Sequence, residues 1–469
     1  MIMNIDSALV CILFTTLAAS YAWGMRGAVI GGEKGAMLPG AFIGLALAWF
    51  AGGTIRENWL IPAAAGLMGM TFGGTETYGE TIGFVLHRGK DDYRPARGYT
   101  GLAFKGALWF SLYGGFLGVS MSRGVYTSAE IIIFCLLIPV FQQVGYRVFN
   151  CPYDRAKNRF PKIYFSKTRR EEWGGNVILL LALMIAAIVK VDCFTLMLIT
   201  GGFLGGSVGW LVGMKGFELS VFPLRNGKFF FGKLAEKKLI DGWKLMEFTL
   251  GAFGGIGLSV AFCLGFGYVE NYAKMPLPDA SIPESFVLGG AEFEKISAII
   301  CTVCIVGILV INAVQFVLNA KGKKVDWFIW DMFERPLYNV IPMALVLLGS
   351  VNAARLMSIF MIVFVLIVKN VFDRLDECRY AALWQIAGVA VSAGVFAAAL
   401  PGKLDSPIIL IVVGTVLYIL AELFWSIWEI RRKGETVKHL FTSTSFGTVY
   451  PCFVLQTVLL IASAAKIFA

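Results

Sequence analysis

Long apolar segments alternate with short polar connections along almost the whole chain. Segments that cross about 30 Å of hydrocarbon need roughly 17–25 residues in a helix. Fourteen stretches meet or approach this length, at about 7–25, 36–53, 59–86, 100–122, 128–149, 176–193, 194–214, 243–269, 296–319, 336–354, 356–372, 380–400, 406–428 and 445–468. The pattern therefore predicts an all-α, polytopic integral membrane helix bundle with about 14 transmembrane helices.

The distribution of basic residues gives an independent test of this topology. Seven alternate connections hold 32 of the 41 Lys and Arg residues, and the opposite connections hold eight. Lysine and arginine accumulate in cytoplasmic loops. We therefore expect both termini outside, and we expect a bacterial inner membrane as the location. The same reading accounts for the net charge of +10 without a nucleic-acid partner.

Composition excludes the soluble classes of protein. The chain is 57% hydrophobic and only 15% charged, whereas soluble domains carry about 25% charged residues. Glycine is concentrated, with 42 of 53 glycines in residues 1–270. We predict a Gly-rich eight-span module over 1–270, an external linker over 271–295 and a six-span module over 296–469. Similar glycine spacing in 1–125 and 126–270 also suggests a parallel four-span repeat.

Charged residues at membrane depth are the candidates for function, because each is costly to bury there. The first group follows the first apolar segment and contains Arg26, Glu33 and Lys34. Its Glu-Lys pair lies among glycines ahead of Pro39, as in a re-entrant or broken-helix element. An ordinary cytoplasmic turn explains the same pattern.

The second group is Gly73-Gly74-Thr75-Glu76-Thr77-Tyr78-Gly79-Glu80-Thr81. The Gly-Gly pair can break a helix and Thr75 can cap its restart, which places Glu76 and Glu80 on one helix face. Two such carboxylates share a proton or a cation, as in an ion-coupled site. Lys105 in the next segment is a candidate counter-charge. The predicted substrate- and ion-binding residues are Glu76, Glu80, Glu33, Lys105, Arg26, Lys34, Thr75, Thr77 and Tyr78. Structural pairing between helices is the alternative.

A third cluster lies in the connection over 87–97, where Asp91 and Asp92 stand among four basic residues. Paired carboxylates and cations can hold a phosphate or a divalent metal. A solvated loop on the positive-inside face explains the cluster equally well.

These patterns predict a multi-pass membrane transporter, coupled to protons or sodium. We expect membrane lipids and a small-molecule or ion substrate as partners. We expect no cofactor beyond H⁺ or Na⁺; any metal would be the cation bound by Glu76 and Glu80. The alternatives are a membrane-embedded transferase acting on a lipid-linked substrate, with Glu76 or Glu80 as base, and a non-catalytic membrane scaffold. Substrate, direction and oligomeric state stay open.

Overall fold

A computed structural model describes residues 4–29, 35–74, 78–222, 241–268, 290–323, 332–364, 407–434, 436 and 445–468. The described chain is helical and contains no strand. Its α-helices are α1 (Ile5–Val29), α2 (Met37–Ala51), α3 (Gly53–Glu57), α4 (Leu60–Gly74), α5 (Gly79–Leu86), α6 (Pro95–Met121), α7 (Ser128–Phe149), α8 (Trp173–Val189), α9 (Cys193–Val221), α10 (Gly242–Tyr268), α11 (Gly290–Ala320), α12 (Ile341–Leu347), α13 (Val351–Phe364), α14 (Pro407–Arg432) and α15 (Ser445–Phe468).

Six of the described helices are long and apolar enough to cross a membrane. These six are α1, α6, α7, α9, α10 and α11. Several of them expose apolar side chains: Leu136 on α7 is 62% exposed and Val303 on α11 is 65% exposed. Surfaces of this kind are favourable in hydrocarbon and unfavourable in water. The protein is therefore a helical, membrane-embedded protein.

Local sequence determines where several of these helices begin and end. At α7, the Thr127 hydroxyl accepts a hydrogen bond from the Glu130 amide, and the Glu130 carboxylate accepts one from the Thr127 amide. This reciprocal pair satisfies two amides at the start of the helix. At α9, the Asp192 carboxylate caps the helix by accepting from the Thr195 amide at 3.0 Å.

The long third apolar segment, 59–86, is two helices rather than one. Helix α4 ends at Gly74 and α5 begins at Gly79. The expected break after Gly73-Gly74 is therefore present, but α5 contains Glu80 and not Glu76. The predicted pairing of Glu76 with Glu80 on one helix face involves residue 76, which lies outside the described residues.

A second boundary also differs from the sequence expectation. The predicted span 336–354 ends earlier, in a turn at Leu348–Ser350, and α13 starts at Val351. The Glu294 carboxylate accepts hydrogen bonds from the Val351 and Asn352 amides, both at 2.8 Å. These bonds fix the start of α13. The predicted span 380–400 and most of the predicted linker 271–295 lie outside the described residues.

Six helices form a closed ring. Around the ring, α1 packs against α2, α2 against α4, α4 against α6, α6 against α9, α9 against α10, and α10 against α1. Helices α7 and α8 pack against each other, and α8 also packs against α6 and α9. The ring is built from the Gly-rich part of the sequence.

Glycines bring the ring helices into backbone contact. On α9, a Cβ added at Gly205 would lie 2.5 Å from the Phe253 carbonyl oxygen of α10. On its other face, a Cβ at Gly206 would collide with the Gly106 carbonyl oxygen of α6. Helix α9 therefore has two faces without side chains, one for each neighbour, as close packing in membranes requires.

Candidate functional site at the ring centre

Arg26 lies near the end of α1, is only 1% exposed and is surrounded by aromatic rings. Its guanidinium carbon lies 4.7 Å from the centre of the Trp109 ring, 5.0 Å from that of Trp23 and 5.1 Å from that of Tyr78. Its Nη1 atom donates a hydrogen bond of 2.8 Å to the Tyr78 hydroxyl. Cation–π contacts are strongest at such desolvated positions, so these rings help to hold a full positive charge inside the bundle.

Four elements supply the aromatic surroundings of Arg26. Trp109 of α6 fits against Gly73 of α4, where any larger residue would overlap its ring. The Trp109 indole nitrogen donates to the Met70 carbonyl at 2.8 Å. The Trp210 ring of α9 lies 5.2 Å from the Tyr78 ring. The short connection between α4 and α5 thus presents Tyr78 directly to the centre of the ring.

A buried ion pair on α10 completes this cluster. The Lys244 ammonium contacts the Glu247 carboxylate at 2.5 Å and donates to the Gly24 carbonyl of α1 at 2.9 Å. Glu247 is also within electrostatic range of Arg26. Charges of both signs therefore meet at the ring centre, contributed by α1 and α10.

Glu80 lies apart from this centre and holds the connection over 150–172. Its carboxylate accepts hydrogen bonds from the Thr168 amide at 2.7 Å, from the Thr168 hydroxyl and from the Arg169 amide at 3.1 Å. These donors occupy much of the carboxylate, so Glu80 serves as an anchor for the loop in this conformation.

Lys105 pairs with Glu171 rather than with Glu80. The two charged atoms are 3.2 Å apart, and both side chains are almost fully buried. Lys105 also donates to the Thr81 hydroxyl at 3.1 Å. The sequence predicts Lys105 as the counter-charge of the Glu76–Glu80 pair; Glu80 does not contact it, and Glu76 lies outside the described residues. The 150–172 connection folds back and brings the Glu171 carboxylate to Lys105.

The connection over 87–97 is also engaged by that loop. Asp92 contacts His87 at 2.9 Å and Lys167 at 3.4 Å. The hydrogen bond with His87 and the nearby lysine hold the pKa of the Asp92 carboxyl below its usual value. Within the described residues, no group of three or more His, Cys, Asp or Glu side chains is arranged to hold a metal.

The structure brings together two of the predicted site residues, Arg26 and Tyr78, and separates Glu80 and Lys105 from them. The other predicted residues lie outside the described part of the chain: Glu33, Lys34, Thr75, Glu76 and Thr77.

Sequence reasoning missed the tryptophans and the Lys244–Glu247 pair. The sequence signal that could have identified them was the three-residue spacing of two pairs. Trp23 lies three residues before Arg26, and Lys244 three residues before Glu247, so each pair shares a helix face. Nothing in the sequence indicates which helices become neighbours of these faces.

Comparisons of the chain with protein-family models, with curated proteins and with solved structures find no significant match. The functional argument therefore depends on the geometry of this chain alone.

Proposed function

We propose that this protein is a membrane transporter whose polar substrate passes through the centre of the six-helix ring. The observation that carries the proposal is the burial of Arg26 at the centre of the ring, among rings contributed by α1, α6 and the α4–α5 connection. Ionisable residues inside membranes mark substrate and ion pathways.

The interruption between α4 and α5 supports the same proposal. Transporters form their sites at discontinuous helices, where free backbone groups face the substrate. Here the interruption follows Gly73-Gly74, and its last residue, Tyr78, contacts Arg26 directly. A change in the position of this connection would alter the surroundings of the buried charge.

The proposed transporter has fourteen spans, with both termini outside, in a bacterial inner membrane. Support comes from the basic residues, of which 32 of 41 lie in alternate connections. We further propose coupling to protons or sodium, with Glu76, two residues before Tyr78 in the sequence, as the candidate carboxylate. Glu80 is less suited to that role because the 150–172 loop engages it.

Flux into liposomes tests this proposal. Purified protein would be reconstituted and supplied with a panel of labelled amino acids, carboxylates, sugars and inorganic ions, under proton or sodium gradients. We expect gradient-driven uptake of at least one class, reduced about tenfold or more by Arg26→Gln and by Glu76→Gln, because each removes a charge from the pathway.

Arg56→Gln is the matched control for Arg26→Gln. Arg56 also stacks on a tryptophan, Trp49, but it is exposed on α3 outside the ring. Its replacement should leave flux unchanged. Full flux in Arg26→Gln would contradict the proposed pathway, and turnover of a lipid-linked substrate in detergent without any flux would instead identify a transferase.

A further inference from the structure

Two cysteines from different helices of the ring lie side by side. Cys11 belongs to α1 and Cys263 to α10, and both are free thiols. The Cys263 thiol donates to the Ala8 carbonyl of α1 at 3.9 Å, and the two thiols are within hydrogen-bonding range of each other. The two residues are far apart in the sequence, so the packing of α1 against α10 brings them together.

The two helices are in backbone contact along the face that carries these cysteines. A Cβ added at Gly251 of α10 would lie 2.5 Å from a carbonyl oxygen of α1, and one at Gly255 would lie 3.0 Å from the Thr15 carbonyl oxygen. Cys263 lies about two turns after Gly255, and Cys11 about one turn before Thr15. Disulfides require Cα atoms roughly 4.4–6.8 Å apart, and glycine-mediated packing brings neighbouring helices close enough for that.

The two thiols differ in their exposure. Cys11 is fully buried, whereas Cys263 is partly exposed. Cys11 lies about 9 Å from the start of α1, and Cys263 about 8 Å from the end of α10. Both are therefore near one end of the bundle, where a small oxidant reaches Cys263 first. Redox-sensitive cysteines are typically accessible thiols beside a second cysteine that resolves the oxidised sulfur.

We propose that Cys11 and Cys263 form a reversible disulfide, with hydrogen peroxide as the oxidant. The Cys263 sulfur attacks one peroxide oxygen, which breaks the O–O bond, forms a sulfenic acid and releases one water. The Cys11 sulfur then attacks the Cys263 sulfur, forms the S–S bond and releases a second water, which takes up the Cys11 thiol proton. The two thiols together lose two electrons and the peroxide gains them. A soluble dithiol reverses the bond by thiol–disulfide exchange.

The disulfide joins a helix pair that is already held at its other end. There, the Lys244 ammonium donates to the Gly24 carbonyl at 2.9 Å, and the Ser20 hydroxyl donates to the Phe248 carbonyl at 2.9 Å. With a covalent bond at the cysteine end, α1 and α10 cannot separate, and the ring cannot open between them. An effect of oxidation on transport rests on the proposed function, whereas formation of the bond does not.

Cleavage of the chain between the two cysteines tests for the bond directly. A protease site inserted between Gly89 and Lys90, in an exposed turn, allows the purified full-length protein to be cut after treatment with hydrogen peroxide. We expect the two fragments to stay joined on a non-reducing gel and to separate in dithiothreitol. Cys11→Ala and Cys263→Ala should each abolish the joined species, since neither variant retains the pair.

Cys301→Ala and Cys304→Ala are the matched controls, because these two free thiols are buried on another helix, α11. Both controls should still form the joined species. A variant that keeps only Cys11 and Cys263 should form it as well, and thermal unfolding in dithiothreitol verifies that every variant is folded. Fragments of the oxidised protein that separate without a reductant would overturn the proposal. Joined fragments that persist in both Cys11→Ala and Cys263→Ala would also overturn it.

Flux measured on the same preparations tests the consequence for transport. Oxidation should lower flux, dithiothreitol should restore it, and Cys263→Ala should be insensitive to the peroxide. Unchanged flux in the disulfide-bonded protein would show that the ring need not open between α1 and α10. Absence of flux in the reduced protein would contradict the proposed function and leave the disulfide standing.

Discussion

The buried charged residues of this protein fall into two groups: residues that stabilise the fold, and residues that we propose take part in transport. Lys105 and Glu171 belong to the first group. The Glu171 carboxylate also accepts hydrogen bonds from the Phe165 amide at 2.7 Å and from the Ser166 hydroxyl at 2.9 Å. A buried carboxylate with this many donors is already satisfied, so its role is to fasten the 150–172 loop to α6.

Replacement of Lys105 tests this assignment. Lys105→Met leaves the Glu171 charge buried without its cation, which should lower the free energy of unfolding by about 3–5 kcal/mol. The double variant Lys105→Met, Glu171→Gln should recover part of that loss, since both charges are then absent. Denaturation in detergent micelles measures the free energy of unfolding of the wild type, the single variant and the double variant.

Lys190→Met serves as the control for that substitution. Lys190 contacts Glu130 at 2.9 Å, but both side chains are partly exposed, so its loss should cost at most about 1 kcal/mol. If the two substitutions lowered the free energy of unfolding equally, the buried Lys105–Glu171 pair would not stabilise the attachment of the 150–172 loop to α6.

The sequence was sufficient to name Arg26 and Tyr78 as candidates, Arg26 because a charge in an apolar segment is visible and Tyr78 because it follows the Gly73-Gly74 pair. Their role in a site stays a prediction. The sequence was insufficient to separate Glu80 from them. Glu80 and Tyr78 are two residues apart in the chain, yet Tyr78 faces the ring centre and Glu80 faces the 150–172 loop. Helix α5 starts at Gly79, between the two residues, so Tyr78 precedes the helix and Glu80 lies on it.

At the scale of elements, helix contacts depend on the absence of side chains. Gly106 and Gly206 oppose each other between α6 and α9, and a Cβ on either would overlap the carbonyl oxygen of the other. The two backbones must therefore move apart if either glycine is replaced, and α9 cannot adjust without pressing on α10.

Gly206→Ala should lower the free energy of unfolding by about 1–3 kcal/mol, as overpacking does in well-packed interiors. Gly414→Ala on α14 is the comparison, because a Cβ there meets only the Phe42 ring at 3.6 Å. That variant should be neutral or more stable by up to about 1 kcal/mol, from helix propensity. Thermal unfolding of both in detergent would disprove the assignment if Gly206→Ala were the more stable.

Helix bounds were predictable where hydropathy and length coincide, as for 128–149, which is α7. They were not predictable where a helix breaks inside apolar sequence. The turn at Leu348–Ser350 contains no charge, and its position depends on Glu294, more than fifty residues away in the chain. The local sequence pattern does not indicate a helix cap that comes from a residue so distant in the chain.

At the scale of the whole molecule, the ring could not be foreseen from hydropathy. The glycine faces of α9 indicate that it has two close neighbours, but they do not identify α6 and α10. Adjacency of α1 and α10 comes from contacts such as that between Lys244 and Gly24, which are 220 residues apart.

The proposed fourteen-span topology is a prediction for the intact chain. Alkaline phosphatase fused to either terminus should be active in a bacterial host, and green fluorescent protein fused there should be dark, because both termini are proposed to lie outside. Fusions after 439 should give the reverse result. A fluorescent C-terminal fusion would contradict the proposal, and together with an outside N-terminus it would require an odd number of spans.

Closure of the ring also has a consequence for synthesis of the protein. Ribosomes add about 5–20 residues per second, so the 220 residues between Gly24 and Lys244 take on the order of 10 to 40 seconds to translate. During this interval α1 is inserted in the bilayer with Arg26 but without α10. We therefore expect the nascent chain to need a holding partner in the membrane until α10 is inserted.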